Sequence, residues 1–414
     1  MVALCCATGL TVPPSHRRVA SGANDAGWNT DEVTRALREA VVDLAAIRSN
    51  AALLVQRSAP AKVMAVVKAD AYGHGLVPVA QAALDGGAAW LGVALLSEAL
   101  ALRAAGITAP VLAWLHGPGE AFDEAIRRDV DVTVSARWSL AEVAAAARAV
   151  GRPARVQLKI DSGLGRGGAA AGDWLDLVER ARKAEVDGLV VVVGIWSHLA
   201  HADAPGHPTI DRQLAAFQHA VAVADSAGLR PQVRHLANSA ATLTRPDTHF
   251  DLTRPGLALY GLSPVPARAD AAALGLSPAM SLHARLVLVK RVPAGHGVSY
   301  LHRYTTTRPT TLGLVPLGYA DGIPRDASNI GPVLVAGRRR VIAGTVCMDQ
   351  FVVDLDDDLV TEGDEVMVFG PGRQGEPTVD DWAEILGTIS YEIVTRIGPR
   401  VERRYLSEPD ERGQ

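Results

Sequence analysis

Between residues 63 and 260, short apolar runs alternate with alanine-rich segments whose apolar residues recur at helical spacing. The runs cover 63–68, 90–95, 110–115, 131–135, 156–160, 189–197, 232–236 and 257–260, and the helical segments include 76–84, 96–105, 140–150, 174–184 and 210–227. Nearly continuous apolar strands mark a parallel sheet covered on both faces. Eight strand–helix units across roughly 250 residues predict an α/β architecture, a (β/α)8 TIM-type barrel. Near residue 275 the helical pattern fades. Strands separated by Gly and Pro then follow at 280–292, 310–316, 332–335, 340–346, 351–355 and 365–369, with a late helix at 379–386. The chain therefore divides into a flexible N-terminal tail over 1–28, a (β/α)8 barrel over 29–275 and a C-terminal mostly-β domain over 276–414.

Composition excludes several classes. A net charge of −4 over 414 residues leaves no basic footprint for nucleic acid. No apolar run reaches the length of a membrane span. The three cysteines, Cys5, Cys6 and Cys347, form neither a disulfide framework nor a zinc-spaced set. No metal is expected, and the pattern suits a reducing cytoplasm. Met1 to Leu10 has no positive residues before it, and Arg17 and Arg18 come after it, the reverse of a secretory signal.

The first run ends in Lys68, and the turn Ala69-Asp70-Ala71-Tyr72-Gly73-His74-Gly75 follows at once. Barrel enzymes build their sites at the C-terminal ends of strands. A partly desolvated lysine there is more often neutral, and a neutral amine can attack a carbonyl carbon. The alternative is a lysine that extends its ammonium to water at the rim. Other strand ends also carry polar groups. Lys159 and Asp161 precede a glycine-rich loop holding Arg166, and as neighbours on one strand face they can pair. His198 follows the sixth run. Ser239 follows the seventh, as a helix cap or a phosphate ligand.

The stretch 65–75, A-V-V-K-A-D-A-Y-G-H-G, resembles the cofactor-lysine signature of alanine racemases, barrel-plus-β-domain enzymes that use pyridoxal 5'-phosphate. Further stretches are similar to motifs of that family: Lys159-Ile160-Asp161-Ser162-Gly163-Leu164-Gly165-Arg166, Trp196-Ser197-His198, His235-Leu236-Ala237-Asn238-Ser239, Arg254-Pro255-Gly256, Gly297-Val298-Ser299-Tyr300, Gly318-Tyr319-Ala320-Asp321, Cys347-Met348-Asp349 and Ser390-Tyr391-Glu392. The resemblance implies that Lys68 binds the cofactor and serves as one catalytic base, with Tyr300 as the other. Two bases are expected because a racemase must reach both faces of Cα. It implies Tyr72, Ser239, Gly256 and Tyr391 as phosphate ligands, and Arg166 beside the cofactor's phenolic oxygen and the substrate. His198 would lie beside the ring. Arg254 would meet the ring nitrogen, keeping it unprotonated and so a weaker electron sink. Tyr300 and Met348 would wall the substrate pocket from a neighbouring subunit, which makes a homodimer part of the expectation. Asp203, Tyr319 and Arg325 would line the approach. Lys159 would carry a carbamate, turning a cation near Arg166 into an anion. The expected role is supply of D-alanine for peptidoglycan. Rival readings are a broader amino-acid racemase of the same fold, a non-catalytic pyridoxal phosphate-binding homeostasis protein and a decarboxylase. Residues 276–414 and Tyr300 weigh against the second, and Arg254 against the third.

Overall fold

Almost every position in the barrel strands is buried. The computed structural model describes residues 36–407, so the tail expected over 1–28, with Cys5 and Cys6, lies outside the described residues. Eight parallel strands form one sheet, in the order Val233–His235, Val190–Trp196, Ala154–Lys159, Val130–Val134, Val111–Ala113, Trp90–Val93, Lys62–Val66 and Leu252–Thr253. All residues of Val130–Val134 and of Trp90–Val93 are buried, as strands enclosed on both faces must be. The backbone closes the ring where the last strand meets the first in this order. Asp251 N donates to Arg234 O at 3.0 Å, and Arg254 N donates to Ala237 O at 2.9 Å.

The sequence pattern predicts the eighth strand at 257–260, but the structure places it at Leu252–Thr253. Pro255 offers no N–H to a ladder, so pairing stops there. Leu257–Tyr260 is a 3-10 turn that still buries its side chains. The Tyr260 hydroxyl donates to Val66 O at 2.8 Å, and Leu259 O accepts from Asn50 Nδ2 at 3.1 Å. This explains why the segment reads as apolar without being a strand.

Beyond residue 279 the chain is mostly β. A six-stranded sheet runs in the order Arg338–Val341, Pro332–Val335, Glu365–Phe369, Met280–Arg285, Arg38–Asp43 and Glu402–Leu406. A three-stranded sheet of Leu288–Val292, Thr310–Val315 and Phe351–Asp356 lies beside it in sequence. The expected strand at 280–292 is thus two strands, the one at 340–346 ends at Val341, and the helix Val379–Leu386 forms as expected. The boundary at 29–275 needs correcting. Arg38–Asp43 pairs antiparallel with Met280–Arg285 and parallel with Glu402–Leu406, so it belongs to the mostly-β sheet. Its buried Ala40 and Val42 stand opposite Leu282 and Met280, which bury the same face. Asp43 then caps the helix Leu44–Ser58, accepting from Ala46 N at 2.9 Å, and the chain passes into the barrel. No helix among the described residues is long and apolar enough to cross a membrane.

Gly261 ends the 3-10 turn at φ 77, and a Cβ there would overlap the Ser277 carbonyl. Gly261→Ala is expected to cost about 3 kcal/mol or more, combining a left-handed alanine with a clash against backbone. Urea unfolding followed by circular dichroism measures this directly.

Candidate active site

Lys68 opens a short helical turn, Lys68–Tyr72, of unusual hand. Ala69, Asp70, Ala71 and Tyr72 have φ between 52 and 54, a left-handed run that costs roughly 1–2 kcal/mol per residue. Its surroundings hold it in place. Glu98 Oε1 accepts from Ala69 N at 2.6 Å, Asp70 Oδ1 accepts from Leu76 N at 2.8 Å, and Arg403 Nε donates to Gly73 O at 3.1 Å. Gly73, at φ 79, lies so close to the Val394 carbonyl that a Cβ would not fit. Strain fixed in this way is typical of functional sites. Burial, and then the Arg166 cation, push the Lys68 amine below its ordinary value against the pull of Glu98. Its Nζ lies 5.9 Å from the Trp114 ring centre.

Arg254 is the most enclosed cation of the cluster, at 4% exposure. Nη1 donates to His235 Nδ1 at 3.0 Å. Nη2 faces three acceptors: Ser197 O at 2.7 Å, Leu236 O at 3.1 Å and His198 Nδ1 at 3.2 Å. A guanidinium can only donate, so both histidines present Nδ1 lone pairs to it and carry their protons on Nε2. Burial and the facing Arg254 charge hold both imidazoles neutral, well below the usual histidine range. Burial also pushes Arg254 down to about 9. The Trp196 ring lies 4.9 Å below Arg254 Cζ and 4.3 Å from Lys159 Nζ.

The pairing of Lys159 with Asp161 that the sequence allows does not form. Asp161 Oδ1 instead accepts from the Gly163, Leu164 and Gly165 amides at 2.9, 2.9 and 3.2 Å, shaping the loop that carries Arg166. Lys159 is 9% exposed. Burial first, then Arg254 and Arg166, push its amine down to about 8.

Tyr72, Ser239 and Gly256 converge. Ser239 follows the cap residue Asn238 and does not itself cap the helix Ser239–Thr244. Its hydroxyl accepts from Gly256 N at 2.8 Å and Ala258 N at 3.3 Å. A Cβ on Gly256 would strike the Tyr72 hydroxyl. Tyr72 stacks on Tyr260 at 4.6 Å and leans on Tyr391 at 5.8 Å. Burial and the Asp203 carboxylate push Tyr391 up to about 12. Among the described residues no group of three or more His, Cys, Asp or Glu could hold a metal ion.

Tyr300 and Met348 do not join this cluster within one chain. They are 68% and 53% exposed, beside Leu301 at 82% and Tyr319 at 45%. The Tyr300 turn is pinned to residues 345–347: Thr345 Oγ1 donates to Tyr300 O at 2.9 Å, and Ser299 Oγ donates to Thr345 O at 2.6 Å. Arg325 opens the 3-10 turn Arg325–Ala327. Sequence reasoning missed Glu98, Trp114, Gln157 and the ring of Trp196 as parts of the site. Glu98 had a signal, since it lies three residues after Leu95 at the start of the helix Leu96–Ala104. Its Oε2 accepts from Ala94 N and Leu95 N, both at 2.9 Å.

Arg254→Met would strip the buried His235, Ser197 and Leu236 acceptors of their donor. The expected loss is about 3 kcal/mol of unfolding free energy in the cofactor-free protein, read by urea titration.

Two family models cover most of the chain: alanine racemase, N-terminal domain, over residues 42–264, and alanine racemase, C-terminal domain, over 279–405. An alanine racemase of Frankia casuarinae is 62% identical over 367 residues, spanning 89% of this chain and 96% of its own. One of Salinispora tropica is 60% identical over 371 residues, spanning 89% and 98%. The crystal structure of alanine racemase from D-cycloserine-producing Streptomyces lavendulae superposes with a TM-score of 0.89 at 57% identity, covering 91% of this chain and 98% of that one. The Streptomyces coelicolor enzyme gives 0.88 at 58% identity, covering 90% and 98%. With both models matched and such identity along nearly its whole described length, the chain belongs to the alanine racemase family of pyridoxal phosphate-dependent isomerases.

Proposed function

We propose that the chain interconverts L- and D-alanine with two bases, Lys68 on one face of Cα and Tyr300 of the partner subunit on the other. The observation that carries this reading is the Arg254 cluster. One buried guanidinium fixes His198 with its Nε2–H free to donate, and the amine of Lys68 is shifted toward its neutral form. The convergence of Ser239, Gly256 and Tyr72, whose hydroxyl packs where a Cβ at residue 256 would stand, supports a phosphate site. Tyr72, Ser239, Gly256 and Tyr391 would hold that phosphate, Arg254 the ring nitrogen and Arg166 the phenolic oxygen. Bound pyridoxal phosphate supplies a conjugated ring that draws electron density from Cα and makes its proton acidic.

The protein's part is proton handling. A neutral Lys68 amine can take the α-proton from one face or return it as an ammonium. On the other face the phenolate form of the partner subunit's Tyr300 would be stabilised by the His198 Nε2–H, because a hydrogen bond to the charged form favours it. Arg254 keeps that donor in place by occupying His198 Nδ1. The exposure of Tyr300, Leu301 and Met348 in a single chain supports a homodimer in which these side chains complete the other subunit's site. Met348 and the tyrosines would limit the pocket to a methyl side chain. D-alanine for peptidoglycan, made in the cytoplasm, is the role this reading gives the reaction.

D-alanine formation from L-alanine tests the bases. Lys68→Ala and Tyr300→Phe are each expected to lower kcat by at least about a thousandfold. Tyr300→Phe should still exchange the α-hydrogen of one enantiomer with solvent deuterium. If the two variants are co-refolded, hybrid dimers have one intact and one doubly altered site, so about a quarter of native activity should return. No recovery in confirmed hybrids would refute the shared site.

Lys159 is read as the carbamate-bearing residue. Its amine is mostly ammonium below a pKa of about 8 and mostly neutral above it. Only the neutral form adds CO2, forming the N–C bond and releasing a proton. The 13C carbamate signal from labelled bicarbonate is therefore expected to grow as pH rises from about 7 to about 9, and to vanish in Lys159→Ala.

A further inference from the structure

The hydrogen-bonded row that starts at Arg254 does not stop at His235. His235 Nε2 lies 2.7 Å from Gln157 Oε1. Gln157 Nε2 donates to Asp131 Oδ2 at 2.9 Å, and Asp131 Oδ1 accepts from Arg155 Nε at 2.6 Å. His235, Gln157 and Asp131 are at most 1% exposed, whereas the Arg155 side chain is 33% exposed. Gln157 and His235 stand on strands separated by Val190–Trp196, so they meet across the barrel interior over Gly194. A Cβ on Gly194 would lie 2.7 Å from Gln157 Oε1. The row descends from the strand ends near Lys68, through mid-strand Gln157, to Asp131 near the start of its strand. Barrel interiors are ordinarily packed with branched apolar side chains, and burying polar groups there is costly unless each is paired.

The two ends set the direction of every bond. Arg254 can only donate, so His235 Nδ1 accepts and the ring proton sits on Nε2. That proton requires the carbonyl side of Gln157, which turns the Gln157 amide nitrogen toward Asp131. An ionised Asp131 only accepts, and Arg155 balances its charge. Without Gln157 the buried His235 Nε2–H has no acceptor, and the ring is free to tilt away from the Arg254 guanidinium.

We infer that Gln157 and Asp131 are positioning residues for the racemisation, acting through His235 to hold the Arg254 guanidinium in one orientation. The inference rests on the reading of Arg254 as partner of the cofactor ring nitrogen. Arg254 held in place would keep that nitrogen from water; an Arg254 free to turn would leave it open to protonation, and the bound cofactor would then favour transamination, giving pyruvate in place of D-alanine.

The test compares the native holoenzyme with Gln157→Leu, Asp131→Asn and Arg254→Gln. Four quantities are read: kcat and KM, pyruvate released per racemisation, melting temperature with cofactor content, and the His235 Nδ1 resonance by solid-state 15N NMR on histidine-labelled full-length protein. In Gln157→Leu and Asp131→Asn, kcat is expected to fall roughly tenfold or more with KM within about twofold. The pyruvate fraction should rise in both, and in Gln157→Leu the His235 Nδ1 resonance should shift or broaden as the ring loses its fixed place against Arg254. Folded variants with native kcat and pyruvate fraction overturn the inference, as does a native His235 Nδ1 resonance in Gln157→Leu. A loss of kcat that only follows melting temperature and cofactor content, with pyruvate unchanged, also overturns it by leaving a purely structural role. If Arg254→Gln itself leaves kcat and pyruvate at native values, the reading of Arg254 fails and this inference falls with it. A strong Arg254→Gln effect beside silent Gln157 and Asp131 variants refutes the inference alone.

Discussion

A guanidinium held inside a barrel is the interaction on which the rest depends. Arg254 closes the ring with its backbone amide, and its side chain reaches His235, His198, Ser197 and Leu236. Removing a charge of this kind from water costs several kcal/mol, offset only when each donor finds an acceptor. The acceptors lie at the ends of the sixth and seventh barrel strands and Arg254 follows the eighth, so the closure of the fold and the electrostatics of the site meet in one residue. A site built in this way is fixed before any ligand arrives, which is what transition-state electrostatics require.

The aromatic wall has a related task. Lys159 and Arg254 both lie within cation–π range of Trp196, and His235 stacks against that indole at 5.7 Å, nearly parallel. With Lys68 and Arg166 close enough to depress the Lys159 amine, four cations crowd one end of the barrel. Their mutual repulsion favours any anion that enters, and it lowers the proton affinity of the Lys68 and Lys159 amines.

Much of this was legible in the chain itself. Seven barrel strands announce themselves as apolar runs. Lys68 is recognisable because it ends an apolar run just before a turn with two glycines, and Arg254 through the resemblance of Arg254-Pro255-Gly256 to the family motif. The eighth strand was hidden because Leu252–Thr253 is only two residues long, while the louder apolar stretch behind Pro255 is a turn. Arg38–Asp43 was hidden because its partners lie at the far end of the chain. Asp131 and Gln157 looked like polar interruptions of strands, and only the closed ring shows that they face the same interior as His235. The hand of the turn after Lys68 was invisible, since Ala69, Asp70 and Ala71 are ordinary helix residues. The left-handed form is imposed by Glu98, Arg403 and the packing of Gly73 on Val394.

The sheet that contains Arg38–Asp43 also has a consequence for synthesis on the ribosome. This strand waits for Met280–Arg285 on one side and for Glu402–Leu406 on the other. Contacts so distant in sequence form late, after the intervening loop entropy has been overcome. The turn behind Lys68 waits too, since Arg403 and Val394 brace it from residues translated hundreds of codons afterwards. The barrel strands all lie before residue 254, whereas the braces of the Lys68 turn lie beyond residue 390. A chain cut before residue 394 would therefore lack both the Val394 carbonyl and the Arg403 guanidinium that hold this turn, although every barrel strand would be present.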